Sequence, residues 1–115
     1  MFPEDQVDAL KTICPNLSLG EEAKTHFIRI ETLKLPEGCE PRVVKALLCP
    51  SGRDGYPSRL FISQKVSHGG RGQNWNPNES VVILGEHWWA ISWKTTRSNQ
   101  TLLEMVLDHL GAFRK

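Results

Sequence analysis

The sequence predicts an α+β domain of two layers, in which an antiparallel meander of about four strands packs against one helix from each end of the chain. Three observations support this class. Apolar residues at helical spacing occur near the two ends of the chain only. Between them lie apolar runs of strand length, separated by turn residues. Strands that follow one another closely pair antiparallel, which leaves one face of the sheet for the helices.

The length and charge of the chain limit the classes of protein it can belong to. Its 115 residues predict a single domain, 1–115. With 14 basic and 13 acidic residues and no basic stripe, a nucleic-acid partner is not expected. No apolar stretch approaches the roughly 18 residues of a membrane helix. The acidic start, Met1 to Asp5, does not resemble a signal peptide, so we expect a cytoplasmic protein without a membrane partner.

Cysteine and histidine spacing argues against a disulfide framework and against a metal site. The three cysteines, Cys14, Cys39 and Cys49, form no C-x-x-C pair. The four histidines, at positions 26, 68, 87 and 109, are not spaced like zinc ligands. We therefore expect reduced thiols, no metal and no cofactor.

The first half of the chain reads as a helix followed by three strands. Val7, Leu10, Ile13 and Cys14 share one face of a helix predicted over residues 3–14. A polar loop is predicted over 16–24. Strands are predicted over 25–35, where the alternation shifts near Leu33 and Leu35 and indicates a bulge or an early end, then over 42–49 and 59–64. The strand at 42–49 is apolar on both faces except at one lysine, as in a strand buried on both sides.

The second half reads as a long loop, a hairpin and a helix. Residues 65–79 are rich in glycine and asparagine and show no period. Runs at 80–84 and 88–94 flank a break and predict a hairpin, whose alternation places Trp89 and Trp93 on the core face and turns Trp88 the other way. The last helix is predicted to be capped by Ser98 or Asn99, and to stop near Gly111.

One stretch, "CPSGRDGYPSRLFIS" at 49–63, carries a family resemblance. The second predicted strand ends in Cys49-Pro50, a glycine-containing turn follows, and Tyr56-Pro57 precedes the third strand. Together with the helix-first element order, this resembles the ubiquitin-conjugating (UBC) fold and its non-catalytic relative, the RWD domain. The size and the tryptophan-rich later section are most similar to divergent bacterial members of that superfamily.

The resemblance implies a role in conjugating a ubiquitin-like protein. The chain would carry or position the C-terminus of a ubiquitin-like modifier that it receives from an activating (adenylating) enzyme, and these two proteins are the implied partners. The alternative is a non-catalytic binding module of the RWD kind, anchored to its partner by an exposed indole of Trp75 or Trp88. An unrelated function on a similar α+β order also stays open.

The active-site cysteine of that family is missing, because no cysteine follows Cys49. Aligning the apolar run at 81–84 with the family segment places Ser80 at the nucleophile position. Serine needs an adjacent base, for which His68 and His87 are the candidates. A second register, through Asn76-Pro77-Asn78, places the active position near Glu86-His87 instead.

Several plainer roles remain open for these residues. Three asparagines are candidates for stabilising the reacting carbonyl: Asn74, Asn76 and Asn78. Asparagine is also typical of turns. Ser80 can equally be the first residue of a strand after a loop. Cys49 is the other possible nucleophile, although a strand-end cysteine is more often a small buried apolar residue.

Overall fold

The central strand of the sheet, β4 (Val43–Cys49), is buried on both faces. A computed structural model describes residues 2–53, 55–76, 79–95 and 99–114 of the chain. In β4, Val44, Ala46 and Leu48 alternate with Leu47 and Cys49, and all five are between 0 and 5% exposed. Successive side chains of a strand point to opposite faces, so both faces of β4 face apolar surroundings. The prediction of a doubly buried strand is confirmed.

The described part of the chain is α+β, as predicted, but its main sheet has six strands where about four were expected. In chain order the elements are α1 (Glu4–Lys11), β1 (Leu17–Glu22), β2 (Thr25–Lys34), β3 (Cys39–Glu40), β4, β5 (Arg59–Ile62), β6 (Ser67–His68), β7 (Val81–Ile83), β8 (Glu86–Ala90) and α2 (Leu102–Gly111), with a final 3₁₀ turn at Ala112–Arg114. The main sheet has the order β1-β2-β4-β5-β8-β7, with every neighbouring pair antiparallel. Strands β3 and β6 form a separate two-stranded sheet.

The polar loop predicted at 16–24 is wrong, because most of it is strand β1. All six residues of β1 pair with β2, and Ala23 and Lys24 between them both have positive φ, 51° and 66°. Two consecutive left-handed residues make a type I′ hairpin turn, which usually carries Asn or Gly and therefore gave no signal here. Every residue of β1 is half-buried or exposed, so backbone pairing holds this strand without a hydrophobic pattern.

The irregularity near Leu33 and the loop at 65–79 are both present in the described structure. Of the two alternatives near Leu33, a bulge and an early strand end, the structure shows the bulge, since the register between β2 and β4 shifts between Ile30 and Leu33. The loop predicted at 65–79 is largely irregular in its described part, but it includes β6 and a bridge between Trp75 and Ile91.

Both helices cover one face of the sheet and form with it the helix-side core. Leu10 of α1 and Leu102, Val106 and Leu110 of α2 meet sheet residues there that are at most 5% exposed. The sheet contributes Ile28, Ile30, Leu33, Val44, Ala46, Leu48, Leu60 and Ile62.

The other face of the sheet buries a second cluster without help from a helix. This opposite-face core consists of Phe27, Leu47, Cys49, Phe61, Ile83, Trp88 and Ala90. Trp88 is fully buried in it and donates its indole N–H to the Ile83 carbonyl oxygen at 3.1 Å. The expectation that Trp88 points away from the core is therefore wrong. Trp89, expected on the core face, is half-buried and belongs to neither described core, and Trp93 lies beyond the end of β8. Alternation separates the two faces of a strand, but it cannot show which face is covered.

The sheet curls over its second face, and polar contacts across the curl hold it. Glu86 of β8 forms salt bridges with Arg29 of β2 and with Lys45 of β4, although two strands separate β8 from β2 in the sheet order. At the hairpin tips, the backbone N–H of Leu84 donates to a Glu22 carboxylate oxygen at 2.9 Å. These contacts bring the β1–β2 and β7–β8 hairpins together over the opposite-face core.

Helix α2 begins at a capping box that differs from the predicted cap. Thr101 Oγ1 accepts the Glu104 N–H at 3.2 Å, and Glu104 Oε1 accepts the Thr101 N–H at 2.8 Å. Asn99 is not the cap, and Ser98 lies outside the described residues. Gly111 is the last residue of α2, so the predicted stop is confirmed. Of the helices described, none combines the length and apolar character needed to cross a bilayer.

A buried hydrogen bond ties α2 to the start of β5. Ser58 Oγ lies 2.9 Å from His109 Nε2, and both residues are at most 5% exposed. Burial is the main cause that lowers the pKa of His109 to about 4; nearby Asp108 opposes this and Arg59 adds to it. The ring is therefore neutral at pH 7 and accepts from Ser58 when its proton is on Nδ1.

We expect Trp88→Ala to lower the free energy of unfolding by about 3–5 kcal/mol, because it removes the largest buried side chain and leaves a cavity. Val82→Ala, at an exposed position of the same hairpin, is expected to change it by less than about 0.5 kcal/mol. Urea denaturation of both variants measures the difference. Equal effects would contradict the burial of Trp88.

We expect acid to destabilise the fold through His109. The His109 ring takes up a proton near pH 6.5 in the unfolded chain and only near pH 4 in the folded chain. Its contribution to the free energy of unfolding is therefore complete above pH 6.5 and is lost as the pH falls toward 4. The loss from pH 7.5 to pH 4 is about 3 kcal/mol. The free energy of unfolding, measured by denaturation at several pH values over this range, should depend less on pH for His109→Gln than for the unsubstituted chain. Parallel pH profiles would contradict the assignment.

Candidate functional site

The β7–β8 hairpin brings two of the predicted site residues into contact. Ser80 Oγ lies 2.9 Å from His87 Nδ1. The hairpin closes through Leu84 and Gly85, whose φ values of 53° and 77° fit a type I′ turn. This turn fixes the register of Val82 opposite His87, so that Ser80, two residues before Val82, lies diagonally across from the imidazole. We call these two side chains the Ser80–His87 pair.

The geometry of the pair suits proton transfer from the hydroxyl to the ring. A neutral imidazole with its proton on Nε2 presents Nδ1 as an acceptor, and the serine hydroxyl then donates to it. A serine beside such a base is the arrangement that activates a hydroxyl as a nucleophile. His87 is exposed and Ser80 is half-buried, so reagents can reach the pair.

Two apolar side chains share the face of the hairpin that carries the pair. Alternation and register place Val82 and Trp89 on the same side as Ser80 and His87. Val82 is 58% exposed and Trp89 is half-buried. The pair therefore has apolar surface directly beside it.

His68, the other candidate base, has a different partner in a different part of the fold. It lies in β6, opposite Cys39 of β3, and its Nε2 is 3.0 Å from the carbonyl oxygen of Glu37. The structure thus joins Ser80 to His87 and places His68 on the separate two-stranded sheet.

Asn74 and Asn76 are held mainly by backbone and tyrosine contacts. The Asn74 carbonyl oxygen accepts the Ser92 N–H at 2.7 Å, and the Asn76 N–H donates to the Ala90 carbonyl oxygen at 2.9 Å. The Asn76 side chain donates to the Tyr56 hydroxyl at 2.8 Å. Asn78 lies outside the described residues. For Asn76, the turn role is the one that these contacts fit.

A polar cluster around Tyr56 was not predicted as a site. The Tyr56 hydroxyl lies 2.8 Å from Ser92 Oγ, and the Arg59 guanidinium stacks over the ring at 4.2 Å from its centroid. Arg59 is 1% exposed and donates to the carbonyl oxygens of Asn76 at 2.7 Å and Ile91 at 3.2 Å. The Tyr-Pro pair was the sequence signal for this cluster. It indicated that the Tyr56 hydroxyl forms a hydrogen bond, but it did not indicate that Ser92 and Asn76 are its partners.

The hydrogen bond from Ser92 is the main cause that lowers the pKa of Tyr56. The bond from Asn76 and the positive charges of Arg59 and Lys94 act in the same direction, while burial opposes them. These groups all stabilise the phenolate, so the cluster favours negative charge at the Tyr56 oxygen.

The cysteines are poorly placed for covalent chemistry. Cys49 is fully buried in the opposite-face core, and burial is the main cause that raises its pKa. Cys14 is also fully buried with a raised pKa, and Cys39 is 4% exposed. A raised pKa and a buried sulfur both reduce the thiolate that a nucleophile requires, so Ser80 is the better placed of the two predicted nucleophiles.

Two clefts that the described residues line lie away from the Ser80–His87 pair. The clefts, of about 360 and 350 Å³, are lined by described residues that include neither Ser80 nor His87. One lies beside Ser58 and Met105, and the other lies between Gln73 and Trp93. Across the described ranges, no three His, Cys, Asp or Glu side chains are grouped as a metal site would require.

Comparisons of the chain with protein-family models, with curated proteins and with solved structures gave no match.

We expect the Tyr56 phenol to titrate below the ordinary value of about 10. Because Tyr56 is the only tyrosine in the chain, absorbance at the phenolate band reports it alone. Ser92→Ala should raise the midpoint, since it removes the largest stabilising contact. Thr95→Ala serves as a control variant. An unshifted midpoint in Ser92→Ala would contradict the described cluster.

Proposed function

We propose that this protein carries the C-terminal acyl group of a ubiquitin-like modifier on Ser80, as an oxyester, in a conjugation pathway of the ubiquitin type. The observation that carries the proposal is the 2.9 Å contact between Ser80 Oγ and His87 Nδ1. It supplies the base that a serine needs in order to replace the family's cysteine.

The element order supports the same proposal. After α1 and the additional edge strand β1 come strands β2, β4 and β5, which are neighbours in the sheet in that order. Cys49-Pro50 ends β4, and Tyr56-Pro57 lies in the turn before β5. A hairpin and a helix complete the chain. Without strands β1, β3 and β6, this is the order that the resemblance to the ubiquitin-conjugating fold implies, with Ser80 just ahead of the hairpin.

The proposed transfer of the acyl group to Ser80 requires no cofactor. His87 Nδ1 accepts the proton of Ser80 as Oγ attacks the carbonyl carbon of a thioester on the activating enzyme. The C–S bond breaks, the C–O bond forms, and the proton leaves on the released thiol. A substrate amine then attacks the oxyester carbonyl: the C–N bond forms, the C–O bond breaks, and the proton that the amine loses passes through His87 to Ser80 Oγ.

The exposure of His87 and of the apolar surface beside the pair favours a macromolecular acyl donor. Neither described cleft encloses the pair, and Val82 and Trp89 offer apolar contact area beside it. Among the asparagines, Asn76 is bonded to Tyr56, so a role for Asn76 at the reacting carbonyl would require that bond to break. Asn74 and Asn78 remain proposals for that role, as does His68 for an alternative base.

The second candidate is a non-catalytic RWD-type binding module. The absence of any cysteine after Cys49 favours it. Of its two suggested anchors, Trp88 is fully buried, so Trp75 is the one that a partner could contact. Trp75 is half-buried, and the Lys65 ammonium lies 5.9 Å from its ring centroid. This candidate predicts a partner complex that Trp75→Ala weakens, and no covalent adduct.

Trapping distinguishes the two candidates. Incubation with ATP, an activating enzyme and its ubiquitin-like modifier should give an adduct that resists thiol reductants and is cleaved by hydroxide, as expected of an oxyester. Ser80→Ala should abolish the adduct and Cys49→Ala should leave it. His87→Gln should slow its formation by about 100-fold or more, the usual contribution of a general base. Gel mobility and intact mass measure all of these.

An adduct that thiols reverse, or one that persists in Ser80→Ala, would show that Ser80 is not the carrier. If no adduct forms with any chain while Trp75→Ala weakens binding of the modifier, the binding module is the better description.

A further inference from the structure

Strand β7 is an edge of the main sheet, and one of its residues presents backbone groups outward. In a hairpin closed by a two-residue turn, the pair flanking the turn exchanges hydrogen bonds and the next pair does not. Here Ile83 and Glu86 flank the turn, and Val82 lies opposite His87 in the next pair. The N–H and C=O of Val82 therefore point away from β8, and its side chain is 58% exposed.

The free stretch of this edge is short and ends at Ser80. At the turn, the Leu84 N–H is bonded to Glu22, and a Cβ on Gly20 would lie 2.9 Å from Leu84 Cδ1, so the β1–β2 hairpin packs closely there. In the other direction the strand begins at Val81, directly after Ser80. An added strand can thus pair along Val81–Ile83, with its end beside the Ser80 hydroxyl.

We infer that the C-terminal tail of the acyl donor adds to β7 as an extended antiparallel strand, which delivers its terminal carbonyl to Ser80. This inference rests on the proposed function. An acyl group on Ser80 lies at the beginning of β7, so its preceding residues run along β7 in the opposite direction. The third residue from the terminal carbonyl then lies opposite Val82 and exchanges hydrogen bonds with its N–H and C=O.

The neighbouring side chains define which tail fits. Directly opposed residues of two strands share a face, so the third tail residue lies beside Val82 on the face that also carries Trp89. Val82 is apolar and exposed, which favours an apolar tail residue there and disfavours a carboxylate. A second copy of this chain is the competing occupant of the edge.

Synthetic thioesters test the inference on the purified chain. The long probe is N-acetyl-Thr-Val-Ala-Gly thioester, which reaches the edge, and the short probe is N-acetyl-Gly thioester, which does not. Val82→Pro removes the outward N–H without removing a β7–β8 bond. Leu19→Pro is the matched control, because Leu19 is 47% exposed on β1, at the other edge of the sheet, and the same hairpin rule turns its N–H outward. Val82→Ala keeps the N–H.

We expect Val82→Pro to slow acylation of Ser80 by the long probe by about tenfold, the scale of one hydrogen bond, and to leave the short probe unchanged. Leu19→Pro should leave the ratio of the two rates unchanged. Val82→Ala keeps the N–H but loses apolar contact with the tail, so it should slow the long probe less than Val82→Pro does. On the unsubstituted chain, a long probe with Asp in place of Val should react more slowly. Intact mass measures each rate.

Equal rates for the Val and Asp probes, with the same probe ratio in Val82→Pro as in the unsubstituted chain, would overturn the inference while leaving Ser80 as the acyl carrier. A dimer that Val82→Pro alone dissociates would assign the edge to a second copy and also overturn it. If neither probe acylates Ser80, the proposed function itself fails.

Discussion

The rest of the structure depends on the burial of β4 on both of its faces. A strand whose five buried side chains point alternately to two sides needs an apolar cover on each side. Helices α1 and α2 supply one cover. Among the described residues, none from a helix belongs to the opposite-face core, so the sheet covers that side by curling, with Trp88 as its largest buried side chain. Salt bridges from Glu86 to Arg29 and Lys45 close the curl.

The hairpin that completes the curl also builds the candidate site. One face of β8 sends Trp88 into the opposite-face core, and the other face presents His87 to solvent. Because alternation fixes this division, the packing that buries Trp88 also determines where His87 points. The type I′ turn then sets the register that brings Ser80 to His87. Packing and site geometry thus have the same origin in this hairpin.

Arg59 and Tyr56 organise the end of the sheet next to β8. A fully buried guanidinium is stable only when its donors have acceptors, and Arg59 finds the carbonyl oxygens of Asn76 and Ile91 and the face of the tyrosine ring. The Tyr56 hydroxyl joins Asn76 and Ser92 on the same side. These contacts hold Asn76 against the end of β8. The Tyr-Pro turn therefore stabilises a part of the structure that lies outside the candidate site.

The sequence by itself determined the α+β class, the doubly buried β4, the irregularity near Leu33 and the β7–β8 hairpin, because each depends on local periodicity or turn chemistry. Through a resemblance to the ubiquitin-conjugating fold it also suggested Ser80, with His68 or His87 as its base. The tertiary structure decided what local patterns cannot carry: that polar β1 is a strand, since pairing with β2 holds it, and that Trp88 is buried, since only the curl covers its face. It likewise decided which histidine meets Ser80, because strand register, rather than distance along the chain, places side chains together.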